Sequence, residues 1–188
     1  MGNTVSTRTD YSQNRDPADG YTYMAEYDRE NKIGEGKVHM AYVGHYVDSS
    51  PPGGPKVGKP CVVKLFKESV AWYYNDWFPH LTTHKRAAQF ADRFNDIRKS
   101  DSRTINVLFP LISKIDRRGG FYLFWIWNFT PVAKFEYVSL EPFLTGNYQR
   151  FNNNLGWTNK SEPAPLMQAF SHWTYHISES KYLVCDLQ

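Results

Sequence analysis

An α+β fold is the architecture this sequence predicts, and three observations predict it. The 188-residue chain is 41% apolar, enough for one core or for two small lobes sharing an interface. Two segments place apolar side chains at helical spacing: Ala87, Phe90, Ala91, Phe94 and Ile97 in the first, Leu166, Ala169, Phe170 and Trp173 in the second. The other apolar segments are of strand length and lie before, between and after these two, so strands and helices follow each other in blocks.

In chain order, residues 1–19 are polar and are expected to form a disordered tail. Strands are predicted at Tyr21–Glu26, Val38–Tyr46 and Cys61–Phe66, with a loop at Asp48–Pro55 rich in Ser, Pro and Gly. A helix is predicted over Leu81–Ser100. Strands follow at Ile105–Phe109, Leu111–Ile115, Phe121–Asn128 and Phe135–Phe143, with a hairpin turn at Arg117–Gly120. Asn147–Gly156 reads as irregular, Pro165–His176 as a helix and Lys181–Gln188 as a last strand.

Composition excludes several function classes. The net charge is +3 and no basic run exceeds two residues, so no nucleic acid partner is expected. The 16% aromatic content raises a reading as a protein that stacks single-stranded RNA, and the scattered lysines oppose it. Cys61 and Cys185 sit in apolar runs, which suggests reduced thiols and a cytoplasmic location. No apolar stretch approaches the ~18 residues of a membrane span. Met1-Gly2-Asn3-Thr4-Val5-Ser6 fits the N-myristoylation pattern at Gly2. The pattern fixes few positions, so a chance match is the competing reading. One acyl chain would give only marginal, reversible membrane association.

Four groups of residues could carry chemistry. In an extended strand Val62, Lys64 and Phe66 share one face, so Lys64 either snorkels to the surface or meets an anion in a cleft. Gly34 and Gly36 could let backbone approach a phosphate, and a hairpin turn explains them equally well. Asp186 follows a largely apolar run, a place for a catalytic base or metal ligand and equally for a turn-capping carboxylate. His172 and His176 stand one helical turn apart, which is metal-ligand spacing, but no neighbouring Cys, Asp or Glu completes a tetrahedral set. The His-Arg-Asp and Asp-Phe-Gly motifs of common protein kinases and the Walker lysine loop are absent.

Three motifs then carry a resemblance. They are Leu140-Glu141-Pro142-Phe143-Leu144-Thr145-Gly146 with the following Asn147–Trp157 loop, Gln168-Ala169-Phe170-Ser171-His172-Trp173-Thr174-Tyr175, and Tyr182-Leu183-Val184-Cys185-Asp186-Leu187-Gln188. In this order and spacing they resemble the alpha-type protein kinases, over roughly residues 28–188.

The resemblance implies a two-lobed kinase-like fold over 20–188: an N-lobe of curved antiparallel sheet with the Leu81–Ser100 helix against it (about 20–140), a hinge (about 141–146) and a C-lobe (147–188). It implies ATP and Mg2+ as ligands and a protein hydroxyl as acceptor. Lys64 would meet the ATP phosphates, with Gly34, Gly36 and His39 nearby, and the Glu141 backbone would meet the adenine. Asp186 would serve as catalytic carboxylate, with Gln188 beside it on magnesium. His172 would be a ligand of the family's structural zinc. The family's pattern continues beyond Gln188 with further metal and zinc ligands, so an incomplete C-lobe is expected and zinc is set aside. His39 departs from an arginine in the family, a weaker phosphate partner. The alternative function is a kinase-like module that binds nucleotide or a protein partner without catalysis.

Overall fold

The computed structural model describes residues 9–15, 22–49, 57–98, 103–117, 136–161 and 163–188. The chain divides into two compact units, Met1–Leu81 with Phe109–Phe143, and Thr82–Leu108 with Leu144–Gln188. The Gly2 pattern, most of the Asp48–Pro55 loop, the turn before residue 121 and the expected strand Phe121–Asn128 lie outside the described residues.

The first unit is an antiparallel barrel. Its strands are β1 (Thr9–Arg15), β2 (Thr22–Glu35), β3 (His39–Ser49), β4 (Pro60–Phe66), β5 (Leu111–Arg117) and β6 (Tyr137–Pro142). They close in the order β1-β2-β3-β4-β6-β5. The β3–β4 register runs unbroken from His39 opposite Phe66 to His45 opposite Pro60, whereas β2 slips against β3 between Tyr27 and Lys32. Such a slip bends a strand, which closure needs. Ala25, Tyr27, Tyr42, Tyr46, Cys61, Val63, Leu65, Ile115, Val138 and Leu140 fill the interior at period two.

Gly44 is sterically required. A Cβ there would lie 2.7 Å from the Glu26 carbonyl oxygen and 2.9 Å from Val63 Cγ2. A short 3-10 helix, Tyr74–Trp77, lays Trp77 over the outer face beside Ala71 and Ile112. The Trp77 indole N–H donates to the Tyr137 carbonyl at 2.9 Å.

Within the expected disordered tail, residues 9–15 are a strand, β1, and the rest of residues 1–19 lies outside the described residues. Residues 9–15 pair with β2 and residues 11–13 also with β5, so backbone hydrogen bonding, which leaves no apolar signature in sequence, orders this segment.

The second unit packs helix α1 (Phe78–Ile97, from Thr82 on) and helix α2 (Ala164–Ile177) around Phe90, Ala91, Phe94, Ile105 and Phe170. The expected helix against the N-lobe sheet therefore has its buried stripe in this unit. No described helix is long and apolar enough to cross a membrane.

Two predicted strands are not strands. Ile105 exchanges both backbone hydrogen bonds with the Asn95 side chain, at 2.8 and 3.0 Å, which takes the place of a ladder. Lys181–Gln188 is likewise irregular. The Val184 carbonyl accepts from Ser171 Oγ at 2.5 Å, and the Val184 N–H donates to Thr174 Oγ1 at 3.0 Å. Leu187 donates to Asn152 Oδ1 at 3.0 Å, and its carbonyl accepts from the Phe151 N–H at 2.8 Å. Asp186 takes a left-handed backbone, φ 58°. That kink turns both Val184 and Leu187 toward the core, a spacing of three that strand alternation forbids.

Candidate active site

Lys64 stands in the first unit, on β4. Cys61, Val63 and Leu65 are buried, and positions 62, 64 and 66 take the other face, as the sequence period requires. On β6, Ser139 lies opposite Lys64 and Glu141 opposite Val62. Diagonal positions across an antiparallel pair are within reach of long side chains. Here Lys64 Nζ donates to both Glu141 carboxylate oxygens, at 2.7 and 2.6 Å. The Ser139 hydroxyl donates to the same carboxylate at 3.4 Å. Side-chain exposure is 32% for Lys64 and 13% for Glu141, so the pair is partly desolvated and a charge placed beside it would be felt more strongly than in water.

The Phe143 N–H donates to the Pro60 carbonyl at 3.3 Å. By antiparallel alternation, Glu141 and Val62 are then a hydrogen-bonded pair. The backbone of Glu141 is part of the ladder, and its carboxylate is the group turned to Lys64. The sequence reading used only the backbone. The signal for the side chain was the alternation of Tyr137, Ser139 and Glu141 with Val138 and Leu140.

Gly34 stands near the end of β2, opposite Ala41, and Gly36 begins the β2–β3 turn, which its N–H closes on the His39 carbonyl at 2.8 Å. A Cβ on Gly34 would meet nothing within 4 Å, and one on Gly36 only that carbonyl, at 3.7 Å. The packing of the turn thus does not demand glycine at either place. His39 stacks on Trp77, ring centroids 5.2 Å apart and 10° from parallel, with Phe66 and His80 alongside.

Asp186 and Gln188 stand in the second unit. The Arg150 guanidinium is ion-paired with Asp186, both side chains about half exposed. The Tyr148 hydroxyl donates to Gln188 Oε1 at 2.7 Å. Burial first, and the Asp186 charge second, push the Cys185 thiol above its ordinary value. Tyr148 and Arg150 are not among the expected site residues; their segment counts there only as an irregular loop within the first family motif.

The donor chemistry suits magnesium. A carboxylate and an amide oxygen two residues apart and open to solvent are hard ligands, for an ion that keeps several waters. It does not suit a structural zinc. The His172 and His176 rings meet edge to face at 4.8 Å, yet among the described residues no three His, Cys, Asp or Glu converge on a metal position.

The antiparallel barrel, interleaved in sequence with a helical unit, has the fold of solved alpha-kinase domains. The alpha-kinase domain of myosin heavy chain kinase A in complex with ADP superposes with a TM-score of 0.68 at 21% identity, over 100% of this chain and 79% of that one. The sequence profile of the alpha-kinase family matches residues 34–188. This chain belongs to the alpha-kinase family. It is 27% identical over 161 residues to alpha-protein kinase vwkA of Dictyostelium discoideum, covering 84% of this chain and 22% of that protein. It is 41% identical over 59 residues to the transient receptor potential cation channel subfamily M member 6 of Mus musculus, 28% of this chain and 3% of that one. The chain thus spans less than a quarter of these curated relatives.

Proposed function

We propose that this chain binds Mg-ATP and transfers the γ-phosphate to a serine or threonine hydroxyl of a protein. The observation that supports this best is the Lys64–Glu141 pair, an ammonium fixed on a rigid strand by a carboxylate from the neighbouring strand. A cation held in that way meets phosphate charge without first being ordered, which is where electrostatic preorganisation acts. Glu141 shares its hydrogen bonds with Lys64 and so keeps the ammonium in place. The open backbone at Gly34 lets a phosphate approach where a side chain would intervene.

In the second unit, Asp186 orients the acceptor hydroxyl and takes its proton. Asp186 and Gln188 would hold magnesium, which when bound neutralises phosphate charge. Acylation at Gly2, whose sequence fits the pattern, would add reversible membrane association.

The test is transfer of labelled phosphate from Mg-ATP to a basic acceptor protein, comparing wild type with Lys64→Ala. Loss of at least about a hundredfold is expected, the scale for removing one preorganised charge-stabilising donor. Equal transfer by the variant would remove Lys64 from the mechanism. Nucleotide binding without transfer by the folded wild type would favour the non-catalytic module.

A further inference from the structure

We propose that Tyr148 and Arg150 form a latch that competes with a divalent cation for Gln188 and Asp186. This rests on the reading above that those two residues hold the metal.

The pattern is positional. Tyr148 and Arg150 are two residues apart and engage Gln188 and Asp186, themselves two residues apart. Between them the backbone is spliced: Phe151 N–H to the Leu187 carbonyl at 2.8 Å, and Leu187 N–H to Asn152 Oδ1 at 3.0 Å. These bonds set the register, so the two side-chain contacts form together.

The loop is also anchored on its other side. Asn159 Nδ2 donates to the Arg150 carbonyl at 3.0 Å, and Gln149 bonds to Ser161. Arg150 Nε donates to the Asn152 carbonyl at 3.3 Å, which fixes the guanidinium plane.

The engaged atoms are the ones a hard cation needs. Gln188 Oε1 accepts the Tyr148 hydroxyl, and a carboxylate neutralised by a guanidinium attracts a second cation less. With both ion-pair partners about half exposed, the exchange of Arg150 for a hydrated metal opens no core. In the latched state Asp186 stays ordered and charge-balanced without metal. The Arg150 charge beside the Asp186 carboxylate opposes a second cation there, and the Tyr148 hydroxyl takes one lone pair of Gln188 Oε1, so the latch lowers metal affinity and favours release.

Mn2+ alone, titrated into the full chain without nucleotide and followed by the loss of its free paramagnetic signal, tests this. Arg150→Gln is expected to bind Mn2+ about two- to fivefold more tightly, the range that an exposed ion pair carries. Tyr148→Phe should shift affinity the same way by less. The residue is 75% exposed and loses only a hydroxyl, so the fold is preserved. Asp186→Asn should abolish the site. Unchanged or weaker binding in both latch variants, with Asp186→Asn inactive in binding, overturns the latch and leaves the metal reading standing. Binding by Asp186→Asn equal to wild type overturns the metal reading and the latch with it.

Discussion

The two units hold their polar residues in opposite ways. In the barrel, Lys64 and Glu141 are placed by ladder register on adjacent strands and are partly buried. In the helical unit, Asp186 and Gln188 sit on an irregular segment whose backbone is hydrogen-bonded to the Ser171, Thr174 and Asn152 side chains, and Asp186 is half exposed. Register over several paired strands fixes a side chain cooperatively. A few side-chain bonds fix it one at a time, and leave it free to change partner. Under the proposed function, the difference would suit a lysine that meets phosphate in a fixed place and a metal position that exchanges its ion.

The largest effect expected from breaking this contrast is in the helical unit. Phe170, on α2, is fully buried against Phe94, and Phe170→Ala should cost about 3–5 kcal/mol in denaturant unfolding. The thiols report where the damage lies. Burial pushes the Cys61 thiol up to about 12, so alkylation of Cys61 signals opening of the barrel. Faster labelling of Cys185 than in wild type, with Cys61 labelling unchanged, would localise the loss.

Gly44→Ala probes the barrel. The added Cβ meets backbone and two core side chains, and overpacking of this kind costs about 1–3 kcal/mol. A melting temperature equal to wild type would show that β2 and β3 can separate locally.

The smallest effect is at the barrel rim. Hydrogen bonds from Lys32 and then Lys67 lower the Glu35 carboxyl from 4.5 to about 2. A depressed carboxyl contributes stability that is full above about pH 4.5 and disappears as pH falls toward 2. The difference in melting temperature between wild type and Glu35→Gln should therefore shrink over that window. Because Glu35 is exposed, it should also shrink with salt.

Much of this was legible in the sequence because the signals are local. The period of two in Cys61–Phe66 set the faces of β4 correctly, and the apolar stripe at Phe90, Ala91 and Phe94 marked the buried side of α1. Lys181–Gln188 misled the same rule. Its apolar residues satisfy a strand pattern, but helix α2 offers hydroxyls, not a strand edge, and Asp186 turns left-handed. Thr9–Arg15 misled it in reverse, with a polar composition and a fully paired backbone.

By itself the sequence determined the α+β class, both helices, the strand that carries Lys64 and the motifs of the alpha-kinase family. Each depends on periodicity or on an ordered run of residues within one segment. Only the tertiary structure decided that the sheet closes through β1 and β5, that Glu141 gives its carboxylate to Lys64 across 77 positions, and that Tyr148 and Arg150 occupy Gln188 and Asp186. Those are pairings between distant segments, fixed by register and chain closure, and no local pattern encodes a partner.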